Sequence, residues 1–128
     1  MSNNPTSEKS VLRNSILSRK HTFRRTKVVD KESGTVYEVL QPSIAERSDL
    51  RKSVTKAGKD GFEFDFFRFT TLAAVRFTVV PGTTERVFED EDFDQLASCP
   101  PGGIVDQLSE AAADLCNVEE EKEETKKP

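Results

Sequence analysis

FEFDFFRFTTLAAVRFTVV, residues Phe62–Val80, is the stretch on which the fold turns. Two periods compete in it. Phe62, Phe64 and Phe66 alternate with Glu63 and Asp65, as in a strand. Phe62, Phe66, Phe69, Ala73, Phe77 and Val80 follow steps of three and four, which is helix spacing. The helix template takes in more residues and sets Arg68 and Arg76 off the apolar face. The segment is also long for a strand and ordinary for a helix. A helix over roughly 63–79 follows, although Thr70, Thr71, Thr78, Val79 and Val80 argue locally against it. Pro81-Gly82 stops it. Phe62, Phe66, Phe69 and Phe77 then read as core. Phe64 and Phe67 point off that face, and a small domain cannot bury rings on all sides of one helix. Leftover apolar surface of this kind marks a protein–protein contact.

Upstream, Thr22–Val29 and Thr35–Gln41 are β-favouring runs around Lys31-Glu32-Ser33-Gly34, a turn signal, and predict a hairpin. Val36, Glu38 and Leu40 share one face of the second run; Tyr37, Val39 and Gln41 share the other. Pro42 ends the strand. Ser43 and Glu46 form a capping-box pattern that opens a helix to about Lys56, anchored by Ile44, Leu50 and Val54 and lying over the hairpin. Gly58 and Gly61 break it. Val11, Leu12, Ile16 and Leu17 suggest a short helix after a disordered leader, 1–10.

Downstream, Val87 and Phe88 are apolar anchors of a turn. Glu89–Asp92 place carboxylates at a helix start. Phe93, Leu96 and Ala97 follow on a stripe that Cys99-Pro100-Pro101 terminates. A last helix runs from Ile104 to Cys116, with Ile104, Leu108, Ala111, Ala112 and Leu115 on one face. The expected fold class is α+β, mostly helical, with an N-terminal β-hairpin packed against several helices. One domain spans 11–117, and 118–128 is a disordered charged tail. The surface expected to meet a partner comprises Phe64, Phe67, Leu72, Phe88, Phe93, Ile104 and Leu108.

The chain has 128 residues, 34% of them hydrophobic and 33% charged. An average globular chain has roughly 45–50% apolar and 25% charged residues, so only part of this one can build a core. No apolar run approaches the ~20 residues of a membrane span, and MSNNPTSEKS is no secretion signal. Two cysteines are too few for a disulfide scaffold. The net charge of −4 conceals a split. Met1–Lys31 holds eight basic and two acidic residues, a balance of +6; Glu85–Glu124 holds fourteen acids and two bases, a balance of −12. Such ends suit head-to-tail contacts between copies, or two partners of different charge. The alternative is that both ends are simply solvated.

Chemistry is thinly signalled. His21, the one histidine, sits in a basic, polar stretch. Cys116 reads as a small core hydrophobe. No glycine-rich phosphate loop is present. Glu89–Asp94 lacks the alternating ligands and glycine of a calcium loop, so neither metal nor cofactor is expected. Arg19–Lys27 has a single aromatic, Phe23, too few for a nucleic-acid stacking platform.

Two motifs carry a resemblance. One is the Gln41-Pro42-Ser43…Glu46-Arg47-Ser48 corner within VYEVLQPSIAERSDLRK, Val36–Lys52. The other is the series Phe88, Asp90, Asp92, Leu96, Pro100, Gly102, followed by Val105-Asp106…Leu108…Ala111-Ala112. Over roughly residues 22–117 the chain resembles the tail assembly chaperones of long-tailed, lambda-like bacteriophages. The resemblance implies a non-enzymatic protein of the host cytoplasm that is absent from the finished virion. It implies that the protein binds and solubilises the tape measure protein and helps tail tube protein polymerise around it. It also implies self-association and a longer, frameshifted form of the same protein; Lys126-Lys127 would allow a slippery codon pair. The Phe-rich 62–77 segment and the double proline depart from the family pattern. A different reading is a small acidic phage regulator that mimics nucleic acid or sequesters a host factor.

Overall fold

The β-branched runs on either side of Gly34 pair with each other. β1 (Arg25–Val29) and β2 (Val36–Leu40) form an antiparallel ladder with Arg25 opposite Leu40 and Val29 opposite Val36. Gly34 turns the chain at φ +76°, its N–H on Asp30 O at 2.7 Å. That left-handed conformation would cost an ordinary residue roughly 1–2 kcal/mol. The ladder is shorter than the runs, but Arg24 and Gln41 extend it: Gln41 N–H donates to Arg24 O at 2.8 Å, and Arg24 N–H to Gln41 Oε1 at 3.0 Å. A two-residue strand, β5 (Thr78–Val79), adds to the free edge of β2, pairing Val79 with Glu38 and Thr78 with Val39. Side-chain alternation puts Val28, Val39 and Thr78 on one face. Arg25, Lys27, Glu38, Leu40 and Val79 share the other.

In this computed structural model the backbone is described for residues 5–59 and 61–126, and side-chain surroundings for 7–59 and 61–116. The fold is α+β, with five α-helices among the described residues.

α2 (Ile44–Ser53) opens on the capping box: Ser43 Oγ accepts from Glu46 N–H at 3.1 Å, and Ser43 N–H donates to Glu46 Oε1 at 2.8 Å. It stops short of Lys56. Instead β3 (Thr55–Gly58) and β4 (Gly61–Phe64) form a second, two-stranded hairpin. α2 packs chiefly on β3 and on the helix that follows, not over the first hairpin. Leu50 is buried, whereas Ile44, expected as an anchor, is exposed in the first turn.

α3 (Phe66–Phe77) is shorter at both ends than the expected 63–79. Asp65 caps its start, Oδ1 accepting from Arg68 N–H at 3.0 Å. At its end Thr78 donates its hydroxyl to Ala74 O at 2.6 Å, and the chain passes straight into β5. Thr78 and Val79, which argued locally against helix, are strand. A tight turn over 80–86 brings Gly82 (φ +80°) over the sheet. After a 3₁₀ turn at Asp90–Asp92 come α4 (Phe93–Ala97) and α5 (Ile104–Lys126).

The broadest contact between elements is α3 against α5, where Ala73, Ala74, Ala112 and Ala113 let the helices approach closely. Phe69, Leu72 and Val75 of α3 and Leu108, Leu115 and Cys116 of α5 are buried in one cluster. The same buried cluster includes Val28 and Val39 from the hairpin, Leu50, Val54 and Phe93. α5 therefore lies on the Val28–Val39 face of the sheet.

α1 (Pro5–Leu17) begins inside the segment expected as a leader and makes little contact with the body. Residues 1–4 lie outside those described. At the other end α5 continues without a break to Lys126; the side chains of 117–128, on which the expected tail falls, lie outside those described. Among the described residues no helix is long and apolar enough to cross a membrane.

Candidate functional site

The second hairpin exists to reverse the chain just before α3, and the reversal carries a row of rings to the surface. Gly61, at φ +114°, holds the turn in a conformation that L side chains rarely adopt. Phe62 and Phe64 then alternate onto one side of β4, opposite Ala57 and Thr55. Asp65 caps α3, so Phe66 and Phe67 occupy its first turn, where no preceding helix covers them. Phe62 is 83% exposed, Phe64 49%, Phe66 61% and Phe67 60%.

Three of these rings are anchored from beneath. Phe69, fully buried, lies 5.3 Å between ring centroids from Phe64 and 6.4 Å from Phe66. Phe67 meets Phe93 edge-on at 6.5 Å, and Arg68 sits 4.6 Å over the Phe93 ring. Edge-on aromatic pairs and cation–π stacking each contribute about 0.5–1.5 kcal/mol. Phe64, Phe66 and Phe67 are thus fixed on core residues, and Phe62 stands at the open end of the row, on β4. About 100 Å² of each exposed ring is open, giving roughly 400 Å², the size at which an apolar patch is often functional.

Of the residues expected to meet a partner, Phe64 and Phe67 lie in this patch. Leu72, Phe93 and Leu108 do not: all three are core, because α5 and α4 close over the faces they occupy. Phe88 and Ile104 are half-buried against the same core. Phe62 and Phe66, read as core, are surface. The four-residue step between them holds only if the helix has begun by Phe62, and it begins at Phe66. Their strand-like alternation with Glu63 was the signal that pointed to the patch.

α1 offers a second apolar surface. Val11, Leu12, Ile16 and Leu17 are all more than half exposed.

Several titratable groups have partners in the fold. His21 Nε2 lies 3.0 Å from Ile16 O, on the surface. Cys116 is buried, and loss of solvent pushes its thiol up to about 11. In the acidic run, Asp90 accepts from Arg76 at 3.3 Å and Arg86 at 2.9 Å, while Asp92 accepts from Glu89 N–H at 2.8 Å. Among the described residues no three histidines, cysteines or carboxylates are grouped to hold a metal ion.

Compared with protein-family models, with curated proteins and with solved structures, the chain matches none.

Proposed function

We propose that this chain is a non-enzymatic tail assembly chaperone of a long-tailed bacteriophage. In this reading it works in the host cytoplasm, covers apolar helix on the tape measure protein, and yields it to tail tube protein during polymerisation, without entering the virion. A longer frameshifted form would share the same domain. The observation that supports the reading is the open row Phe62, Phe64, Phe66 and Phe67, three of whose rings rest on the buried Phe69 and Phe93.

Magnitudes fit a chaperone better than a permanent complex. Covering roughly 400 Å² of ring would return on the order of 10 kcal/mol. Association costs about 4–15 kcal/mol in lost freedom and side-chain ordering. One copy is therefore a weak binder, and many copies along one client bind by avidity, which also lets tube subunits displace them.

Co-expression with the tape measure protein of the same genome should raise that protein's soluble fraction. Phe67→Glu should lower it while the variant keeps its native circular dichroism and loses no more stability than the roughly 0.5–1.5 kcal/mol of the Phe93 contact. Equal precipitation of the client with and without the chain sinks the chaperone reading. Unfolding of Phe67→Glu would place that ring in the core rather than on the binding surface.

A further inference from the structure

The sheet face turned away from α5 floors a half-open groove of about 700 Å³. Leu40, Phe77 and Val79 supply the apolar floor. Lys20, Arg25 and Arg86 stand around it. Arg76, which also lines the groove, shares the single carboxylate of Asp90 with Arg86, so that cluster keeps one positive charge. Arg25 is paired with Glu38 at 2.8 Å, and Lys27 lies on the same sheet face. Glu46, on the rim, already accepts from Ser43 N–H. Five cations against three carboxylates leave a net +2 at the groove. The side chains of Arg25, Arg76 and Arg86 retain 32%, 22% and 42% of their solvent access, so they can still meet an anion.

We propose that this groove receives the acidic C-terminal run of a second copy, Glu119–Glu124. That run is EEEKEE, five glutamates and one lysine, a net −4. Attraction between the two is long-ranged at low salt. The donor is another molecule because of where α5 lies. It packs on the Val28–Val39 face, opposite the groove, and runs unbroken to Lys126. The ten residues after Cys116 extend about 15 Å along its axis, and an unbroken helix cannot double back around the sheet. The contact is head-to-tail: each copy that donates a C-terminus keeps its own groove open, so association propagates. This inference does not involve the phenylalanine row and stands apart from the chaperone reading.

The test uses full-length protein alone. Unlabelled and ¹⁵N-labelled chains are mixed and treated with a carbodiimide, which joins a lysine amine to a carboxylate in contact as an amide with loss of water. Coupling of Lys20 to Glu119–Glu124 across one light and one heavy chain is expected. Its yield should fall at least about fivefold in 1 M NaCl, where screening acts within about 3 Å. Arg86→Glu should abolish it while the variant keeps its native circular dichroism. Coupling of Lys20 only within its own chain overturns the proposal, as does tail coupling only at lysines other than Lys20 and Lys27, or a yield indifferent to salt. Should Arg86→Glu fail to fold, Lys27→Glu on the exposed sheet face must show the same loss.

Discussion

Glu38 is the one charged side chain buried among the described residues. Its Oε1 accepts from Gly82 N–H at 2.7 Å and from Arg25 Nη1 at 2.8 Å. The Gly82 hydrogen bond, then Arg25 and the field of Lys27, hold its carboxyl below the usual glutamate range; burial opposes them and loses. Because the folded-state value is the lower one, the ionised form stabilises the fold. That contribution is complete above the ordinary glutamate pKa and is lost as pH falls through the lowered value. Glu38→Gln should therefore cost about 1–3 kcal/mol at neutral pH, with a flatter fall in stability on acidification. Urea unfolding at neutral and acid pH checks both. The sequence showed Glu38 sharing a face with Val36 and Leu40, but not its partner: Gly82 is 44 residues away and is delivered by a turn whose path depends on where α3 ends. Ser43 and Glu46 were legible because both halves of that interaction lie within one turn of each other.

At the scale of elements, the chain from Phe62 to Val79 is strand, helix and strand in succession. Periodicity alone favoured one helix because Phe62, Phe66 and Phe69 satisfy its spacing by coincidence. What decides the matter is the cap at Asp65 and the pairing of β4 with β3, and neither is visible in apolar spacing. The same pairing explains why α2 ends early: Thr55–Gly58 serve a ladder. The two ring environments make opposite predictions. Phe62→Ser should change stability by no more than about 0.5 kcal/mol, as at other open positions. Phe69→Ala should cost about 3–5 kcal/mol, because it empties a site that also supports Phe64 and Phe66. Denaturant midpoints of the two variants separate surface row from buried support.

For the whole molecule, the stable unit begins at β1. α1 shows solvent its apolar side chains and adds little to the body, and isolated helices of its 13-residue length are marginal. Brief trypsin treatment should remove the segment up to Lys20 before it cuts at Arg24 or Lys27, which are both held in the ladder. Mass spectrometry should find a core starting at His21 that melts within a few degrees of the intact protein. A body that unfolds on this trimming would mean that α1 is part of the fold. The charge split between the ends was legible in composition. Which face each end serves was not, since that follows from α5 taking one side of a three-stranded sheet. The seamless passage from α3 into β5 has a mechanical result. Phe66 and Phe77 terminate one stiff rod about 18 Å long, and no joint separates the ring cluster at its tip from the cationic trough at its foot. The two surfaces keep a constant spacing, like marks on a ruler, in every copy of the chain.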